Sequence, residues 1–373
     1  MADAIRLPAE RRFAAELAAL STLPGVRPEG WRLAPRAVAM FAHGGQVGDL
    51  PITRKFWGDD ALVERAVASL ASDRGLLLIG EPGTAKSWLS ELLAAGISGA
   101  STLVIHGTAG LTEDQIKYGW NYALLLAEGP SPRALVPGPL YTGMRTGRIV
   151  RFEEITRAPH EVSDGLLAAL SEKLLSVPEL AGDEGLLLGR PGFNLIATAN
   201  TRDRGVNEMS AALKRRFNFE HVQPVADLDE EIRLVREQIT SWVAGGPAAG
   251  VVLGEDLLEL LVTTFHEIRT GTTLEGVRLE RGSATMSTAE AVSVGYNAAL
   301  HASFFGASVV APRDLVGWLA GTVVKDDPAS AKALRSYWEV AVKPRASAER
   351  GAWRAYWAAR DLLEGVGGAP KSR

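Results

Sequence analysis

The stretch LLLIGEPGTAKSWLSELL, residues 76–93, decides the fold of this chain. An apolar run leads into a loop that holds Gly80, Gly83 and the pair Lys86-Ser87, and a helical pattern follows at once. Successive backbone N–H groups of such a loop cradle phosphate oxygens, and the helix N-terminus adds its positive end. The sequence therefore predicts a strand, a phosphate-binding loop and a helix, in that order.

The residues predicted to bind the nucleotide form one continuous segment: Gly80, Glu81, Pro82, Gly83, Thr84, Ala85, Lys86, Ser87 and Trp88. Lys86 is expected to reach the outer phosphates and Ser87 to hold Mg²⁺. The pattern G-x-x-x-x-G-K-[ST] has glycine at the position of Ala85. We expect the methyl group to be tolerated there only if the local backbone dihedrals are ordinary.

Alternation of strands and helices extends outward from this loop. The apolar runs are GLLLIG (75–80), STLVIHG (101–107), GRIVRFEEI (147–155), GFNLIATAN (192–200) and NFEHVQPV (218–225). Strands separated by helical patterns indicate a parallel sheet covered on both faces. The predicted organisation is a helical N-terminal extension (1–50), an α/β domain (51–226), an all-helical domain (227–325) and a helical tail (326–373).

Composition narrows the possible function classes. The chain has 373 residues, a net charge of −4 and no cysteine, which excludes disulfide scaffolds, thiolate zinc sites and a cysteine nucleophile. The balanced charge argues against a protein built to coat nucleic acid. No apolar run approaches the roughly 20 residues of a membrane helix, and the N-terminus lacks the apolar core of a signal peptide. We expect a soluble, cytoplasmic protein.

Acidic side chains end the third apolar run. Glu153 and Glu154 stand where ligands gather at the carboxyl edge of a parallel sheet. Hydrolysis of a nucleotide needs one carboxylate near Mg²⁺ and one that orients a water. We assign Glu153 to the metal, through water, and Glu154 to the attacking water. The alternative is a solvated acidic turn.

Polar and basic residues follow the next strand. Thr198 and Asn200 end the run GFNLIATAN, and an Asn amide there can orient the lytic water, although it can also simply form a turn. Arg215 and Arg216 lie between a helix and a strand. A guanidinium can stabilise charge on a transferring phosphate, here in a neighbouring subunit, or merely favour a helix C-terminus.

In this order, the segments GEPGTAKS, LVPGPLYTG, EEITRAP, LLAALSEK, ATANTRD and LKRRF resemble the AAA+ ATPases, and more closely their MoxR branch. The resemblance covers about residues 51–300. It implies an AAA+ P-loop core followed by a helical lid. It also implies roles for particular positions: Walker A at 80–87, Walker B at Glu153 and Glu154, sensor 1 at Asn200, and an arginine finger acting in trans at Arg216.

The resemblance extends to three further regions. Residues 56–60, with Phe56 and Trp57 as the predicted contacts, match the place where the family packs the adenine. Residues 112–138 match a hairpin inserted in helix 2, and residues 176–190 match a hairpin before sensor 1; in the family both face the pore of a hexamer. Tyr118, Trp120 and Tyr122 in the first hairpin either grip a polypeptide or pack on their own domain.

The chain departs from the family pattern at three positions. Glu153 replaces the usual Asp and is one methylene longer. Arg215 stands where Asp often precedes the finger, so two adjacent arginines compete for that role and we favour Arg216. Met286 occupies the place of the lid's sensor-2 Arg, for which the nearby Arg281 is a candidate substitute.

The resemblance implies ATP binding (with ADP as product) and Mg²⁺-dependent hydrolysis in a hexameric ring that remodels a protein partner. The partners of family members include proteins with a von Willebrand factor A domain. The gas-vesicle type ATPases are a related group that shares the Thr-Arg after the acidic pair. Two alternatives stay open: a nucleotide-dependent assembly switch with little turnover, and a motor that acts on DNA or RNA. The tail aromatics Tyr337, Trp338, Trp353, Tyr356 and Trp357 are expected to pack on the lid or a neighbour, or to dock a partner.

Overall fold

The computed structural model describes residues 4–200, 208–280, 282, 286–306, 308–325, 327–348 and 351–363. The chain divides into two compact units. The first consists of Met1–Glu81 and Ala85–Val222, and the second of Pro82–Thr84 and Gln223–Arg373. No helix among the described residues is both long enough and apolar enough to cross a membrane.

Among the described residues, the strands all lie in the first unit. They are β1 (Gly45–Val47), β2 (Leu50–Ile52), β3 (Gly75–Gly80), β4 (Val104–His106), β5 (Tyr118–Trp120), β6 (Leu135–Pro137), β7 (Ile149–Glu153), β8 (Leu174–Ser176), β9 (Leu186–Leu188), β10 (Asn194–Asn200) and β11 (Phe217–His221). Five of them form one parallel sheet in the order β11-β3-β10-β7-β4. These are the five predicted apolar runs, so the predicted α/β fold is confirmed.

Helices cover both faces of this sheet. They are α1 (Ala9–Arg12), α2 (Ala14–Leu20), α3 (Pro35–His43), α4 (Asp60–Leu70), α5 (Lys86–Ser98), α6 (Glu113–Ile116), α7 (Tyr122–Glu128), α8 (Pro139–Thr146), α9 (His160–Asp164), α10 (Leu167–Ser171) and α11 (Ala211–Lys214), with short 3₁₀ turns at Ile155–Arg157 and Gly182–Gly185. Side chains alternate along each strand. Leu76 and Leu78 therefore join the core under α5, while Leu77 joins the core on the opposite face.

The N-terminal extension is part of the first unit. The predicted helical extension begins with two short helices, because Phe13 ends α1 and precedes α2. Leu17 and Leu20 are buried in the same core as α5. Glu16 pairs with the buried Lys55 at 2.5 Å.

Two antiparallel hairpins extend from the α/β core. In the first, β5 pairs with β6, and in the second, β8 pairs with β9. The first hairpin lies within residues 112–138, the first insert that the resemblance implies. The second begins at Leu174, two residues before the implied insert at 176–190. Tyr118 of β5 donates a hydrogen bond to Glu179 Oε2 at 3.0 Å, so a side chain of one hairpin contacts the other.

The second unit is helical. It contains α12 (Leu228–Ala244), α13 (Glu255–Thr270), α14 (Thr288–Phe305), α15 (Pro312–Val323), α16 (Pro328–Tyr337), a π-helical turn (Trp338–Val342), α17 (Lys343–Ser347), α18 (Gly351–Ala358) and a 3₁₀ turn (Ala359–Leu363). The side chains of Tyr337, Trp338 and Tyr356 are almost fully buried in its core, and Trp353 and Trp357 pack against that core. The tail aromatics therefore contribute to the core that α12–α15 also build.

Candidate functional site

The phosphate loop joins β3 to α5. Strand β3 lies inside the sheet and ends at Gly80, and α5 begins at Lys86. Ala85 caps α5 in the left-handed conformation, with φ 65° and ψ 22°. The expectation of ordinary dihedrals at this position is thus wrong. The loop requires a left-handed backbone at this position, which glycine adopts freely. Alanine adopts it only at an energetic cost, because its Cβ crowds the backbone.

Lys86 is folded back into the loop. Its ammonium group donates hydrogen bonds to the carbonyls of Gly80 at 3.1 Å and Glu81 at 2.6 Å, and the residue is 6% exposed. Pro82, Gly83 and Thr84 complete the loop, with Gly83 at φ 79°. The ammonium group therefore lies among the backbone groups that are predicted to surround phosphate.

Glu153 lies at the centre of the site. Its Oε2 accepts hydrogen bonds from Ser87 Oγ at 2.6 Å and Thr198 Oγ1 at 2.8 Å. Its Oε1 accepts from Ser90 Oγ at 2.6 Å and Arg151 Nη2 at 2.8 Å. The first turn of α5 and the strands β7 and β10 are thereby joined through one carboxylate.

These contacts keep Glu153 ionised although it is buried. Burial by itself raises the pKa of a carboxyl, but the hydrogen bonds from Ser87 and Ser90, together with the charge of Arg151, outweigh it. The net effect is a pKa of Glu153 below its usual value. A negative charge is thus held directly beside the Ser87 hydroxyl.

Glu154 differs from Glu153 in backbone conformation, exposure and partners. It is in the left-handed conformation at φ 56°, and its side chain is 42% exposed. Its carboxylate pairs with Arg157 Nε at 2.9 Å, and its backbone N–H donates to Thr198 Oγ1 at 3.0 Å. The left-handed turn directs adjacent acids to different environments, one interior and one open to water.

Asn200 ends β10 at the same edge of the sheet. It pairs in register with Gly80, the first residue of the loop. Thr198, two residues earlier, contacts Glu153 directly. The structure therefore brings together Gly80, Lys86, Ser87, Glu153, Thr198 and Asn200.

The predicted adenine segment has one buried and one open residue. Phe56 is 3% exposed and belongs to the core, whereas Trp57 is partly exposed and lies under the Arg54 guanidinium at 5.2 Å. Trp88 donates a hydrogen bond from Nε1 to the carbonyl of Lys55 at 2.8 Å. This bond ties the first turn of α5 to the segment that carries Phe56 and Trp57.

The two candidate finger residues lie near the amino-terminal end of β3, whereas the phosphate loop follows its carboxyl end. Gly75, the first residue of β3, donates a hydrogen bond to the Arg216 carbonyl at 2.9 Å. Arg216 Nε donates to Ser171 Oγ at 2.5 Å, which leaves both Nη groups without a partner among the described residues. Arg215 is exposed. The structure does not bring either arginine to the loop of its own subunit.

The helical unit has an apolar residue at the position of the lid arginine. Met286 is fully buried in the core of that unit, and its carbonyl accepts a hydrogen bond from Arg269 Nη1 at 3.0 Å. Arg281 lies outside the described residues. Among the described residues, Arg269 lies nearby, but both of its Nη groups donate hydrogen bonds to the buried Glu231 carboxylate.

Two of the three hairpin aromatics pack on their own domain. Tyr118 contacts Trp120 and Tyr141 edge to face, with ring centroids 6.0 Å and 6.5 Å apart. Both Tyr118 and Trp120 pack against a small core formed by Leu135, Val177 and Leu180. Tyr122 is 72% exposed. Of the three, Tyr122 is thus the side chain most open to solvent.

Arg151 belongs to the site but is not among the residues predicted from the sequence. It is 7% exposed and pairs with Glu153 from two positions away on β7. From the sequence alone, the run GRIVRFEEI (147–155) is an apolar strand that ends in acidic residues. Period-two alternation along β7 is the signal that places Arg151 and Glu153 on the same face.

The donor set at Glu153 fits Mg²⁺. This cation prefers oxygen ligands, and the Ser87 hydroxyl lies against the Glu153 carboxylate. Ser87 gives its hydrogen to Glu153, which leaves the lone pairs of its oxygen for a cation. In the described ranges no three His, Asp or Glu side chains form a separate metal-binding cluster.

Two family comparisons match different parts of the chain. Residues 75–217 match the AAA domain (dynein-related subfamily), and residues 229–364 match the YehL-like AAA+ ATPase C-terminal domain. The first match spans β3 to the start of β11, and the second covers almost all of the helical unit.

Similar proteins occur in several bacteria. YehL of Escherichia coli (strain K12) is 49% identical over 359 residues, which is 96% of this chain and 97% of that protein. A protein of Staphylococcus aureus (strain USA300) is 26% identical over 57% of this chain and 74% of its own length. The crystal structure of NtrX from Brucella abortus has a TM-score of 0.50 at 12% identity and covers 84% of this chain and 64% of that one, which is a likeness of fold.

Proposed function

The chain belongs to the YehL-like AAA+ ATPases, and from this premise we propose that it is a MoxR-like ATPase whose hexameric ring remodels a protein partner. The observation that carries the proposal is the contact between Ser87 Oγ and Glu153 Oε2 at 2.6 Å, at the foot of a loop that encloses the Lys86 ammonium. The groups proposed to bind phosphate and Mg²⁺ thus lie together at the carboxyl ends of the strands.

Each residue of the site has a distinct role in hydrolysis. The loop amides and Lys86 would bind the phosphates, and Ser87 with Glu153, acting through water, would hold Mg²⁺. When bound, Mg²⁺ would supply positive charge against the charge that develops on the phosphate. Glu154 polarises the attacking water, and Asn200 orients it. The exposure of Glu154 supports these two roles, because a residue that polarises the attacking water must be accessible to water. The side chain of Glu153 is buried.

The position of Arg216 supports a ring. The residue lies beside Gly75, and the loop begins after Gly80 at the other end of β3. At about 3.3 Å per residue the strand separates them by about 17 Å, which an arginine side chain does not span. With Nε bound to Ser171, the two Nη groups are the donors that Arg216 can offer to the phosphate of a neighbouring subunit.

The partner class is a protein. The net charge of −4 gives no electrostatic reason for nucleic acid to bind. Tyr122 on the first hairpin is an exposed aromatic side chain for gripping a polypeptide. A von Willebrand factor A domain protein is the partner class that the MoxR resemblance suggests.

An assembly switch with slow turnover is the second candidate. The observation that favours it is Met286, since a buried apolar side chain cannot contact a γ-phosphate as the lid arginine of related ATPases does. Such a protein would form rings on nucleotide and hydrolyse it slowly.

ATP hydrolysis and particle mass, measured together, test the proposal. We expect wild type to form a particle of about six subunits with ATP, and Glu154→Gln to keep the ring but lose at least about 100-fold in turnover. Glu161→Gln, an exposed glutamate seven residues on, is the matched control and should keep full turnover. Equal, negligible turnover in wild type and Glu154→Gln, with rings still formed, would instead select the switch. Turnover stimulated by DNA and abolished by salt would point to the nucleic-acid motor.

A further inference from the structure

Strand β7 directs two charged residues toward the phosphate-loop helix. Ile149, Arg151 and Glu153 alternate with Val150 and Phe152 along the strand. Ile149 belongs to the core under α5, whereas Val150 and Phe152 belong to the core on the other face. Arg151 and Glu153 therefore lie between the sheet and the first turn of α5.

Every nitrogen of the Arg151 guanidinium has a partner. Nε donates to Ser90 Oγ at 2.9 Å, and Nη1 donates to the Ser101 carbonyl at 3.1 Å. Nη2 donates to the Ser87 carbonyl at 2.9 Å and to Glu153 Oε1 at 2.8 Å. The guanidinium is thus fixed from three sides, by α5, by the segment before β4 and by its own strand.

The two oxygens of Glu153 have different surroundings as a result. Oε1 receives Arg151 and Ser90, which are both buried. Oε2 receives Ser87 and Thr198, and Ser87 is exposed at the loop. Each oxygen therefore has two donors, but only Oε2 lies beside Ser87, the residue predicted to hold Mg²⁺.

We propose that Arg151 is a positioning residue that fixes the Glu153 carboxylate with a single oxygen toward Ser87, and so compensates for a side chain one methylene longer than Asp. The inference rests on the proposed function, because it concerns the same Mg²⁺-nucleotide site. A free glutamate has one more rotatable bond than an aspartate and can offer one or both oxygens. With Oε1 held by Arg151 and Ser90, that freedom is removed.

Metal preference is the property that such positioning controls. Mg²⁺ demands near-ideal octahedral geometry, while Ca²⁺ accepts irregular sites with more oxygens. A loosened carboxylate therefore weakens Mg²⁺ more than Ca²⁺. Removal of the Arg151 charge alone would change the affinity for both divalent cations by a similar factor. The ratio of the two affinities separates positioning from simple electrostatics.

The experiment measures ADP binding to the full chain by calorimetry, over a series of free Mg²⁺ or free Ca²⁺ concentrations. In Arg151→Met we expect the half-saturating Mg²⁺ concentration to rise about tenfold, as for loss of other outer-shell partners, and that of Ca²⁺ to change less than about twofold. Arg151→Lys keeps the positive charge but loses the forked guanidinium. Its half-saturating Mg²⁺ concentration should lie between those of wild type and Arg151→Met. Arg148→Met removes an exposed arginine just before β7 and should match wild type.

A second variant keeps the test decisive if Arg151→Met does not fold, since it leaves a buried carboxylate without its cation. Ser90→Ala removes the other Oε1 donor without leaving an unpaired charge, and should lower the Mg²⁺ preference in the same direction. An unchanged ratio in the folded variants, whether both concentrations move together or neither moves, would overturn the role of Arg151. Wild-type protein that does not bind ADP, or binds it equally without a divalent cation, would overturn the proposed function instead.

Discussion

Thr198 Oγ1 lies 2.8 Å from Glu153 Oε2 and also accepts a hydrogen bond from the backbone N–H of Glu154 at 3.0 Å. One hydroxyl on β10 thus contacts both members of the acidic pair at the end of β7. It gives its hydrogen to the buried acid and supports the backbone of the exposed one. The two acids can take different roles because this hydroxyl holds the turn between them.

Replacement of Thr198 by valine tests that relationship. The change keeps the shape and removes the hydroxyl, which leaves the Glu154 N–H unpaired. We expect a loss of about 1–2 kcal/mol in the free energy of unfolding and a fall of about tenfold in ATP turnover. Chemical unfolding and a steady-state ATPase assay measure the two effects. Thr264→Val, at a buried threonine in α13 whose hydroxyl bonds to the Leu260 carbonyl, is the control. It should lose stability but not turnover, and equal turnover in both variants would contradict the assigned role.

Ala85→Gly is expected to stabilise the protein. Ala85 holds φ 65°, where a Cβ costs roughly 1–2 kcal/mol, and glycine removes that cost at the expense of a more flexible unfolded chain. The net gain should be about 0.5–1 kcal/mol, seen as a higher thermal midpoint. Ala68→Gly, at an exposed position inside α4, should lose about 1 kcal/mol. Opposite signs for the same substitution are the expected result, and a destabilised Ala85→Gly would contradict it.

Mixed rings test whether Arg216 acts across the subunit boundary. Arg216→Ala subunits keep an intact loop and acidic pair, and Glu154→Gln subunits keep the arginine. Mixed in equal amounts before nucleotide is added, they should form about a quarter of interfaces with both parts intact and recover about that share of turnover. Each variant alone should be inactive. Arg215→Ala is the control and should keep at least about half of wild-type turnover. A mixture no more active than its components would place the arginine in cis or outside catalysis.

The helical unit should show a pH-dependent ion pair. The hydrogen bond from Arg345 lowers the pKa of Glu275 to about 2. A carboxyl whose folded pKa lies below its unfolded value stabilises the fold above about pH 4.5, and this stabilisation is lost as the pH falls toward about 2. Since the Glu275 side chain is 52% exposed, its contribution should stay under about 1 kcal/mol.

Thermal midpoints at pH 6 and pH 3 measure this effect. Glu275→Gln should unfold at a lower temperature than wild type at pH 6, and the gap should narrow at pH 3. Glu339→Gln removes an exposed glutamate that pairs with Lys343 one helical turn away, and should shift the midpoint less. A gap for Glu275→Gln that is the same at both pH values would rule out the ionic origin.

Local patterns made the centre of the site predictable. The loop, Ser87, Glu153 and Asn200 all end or begin elements whose apolar runs are clear, and the carboxyl ends of parallel strands share one edge. The five strands followed from the same runs. What these patterns did not reveal is the conformation of Ala85, because a dihedral angle is fixed by the loop as a whole and not by residue type.

Partners distant in sequence were harder to predict. Arg151 lies inside an apolar run, and its contacts with Ser90 and Ser101 come from segments about 50 to 61 residues away. Likewise the burial of Tyr337, Trp338 and Tyr356 among helices that begin 100 residues earlier follows from tertiary packing. The sequence left open whether these aromatics pack on the lid, pack on a neighbouring subunit or dock a partner.

The ion pair between Glu16 and Lys55 limits how far the N-terminus can be shortened for expression. The Lys55 ammonium lies between the rings of Phe13 and Phe41, 4.6 Å and 4.5 Å from their centroids, with Glu16 as its counter-ion. A gene truncated to start at residue 51 would strip away both rings and the carboxylate together. The product would keep every Walker motif and still be expected to enter inclusion bodies, so expression should begin ahead of α1.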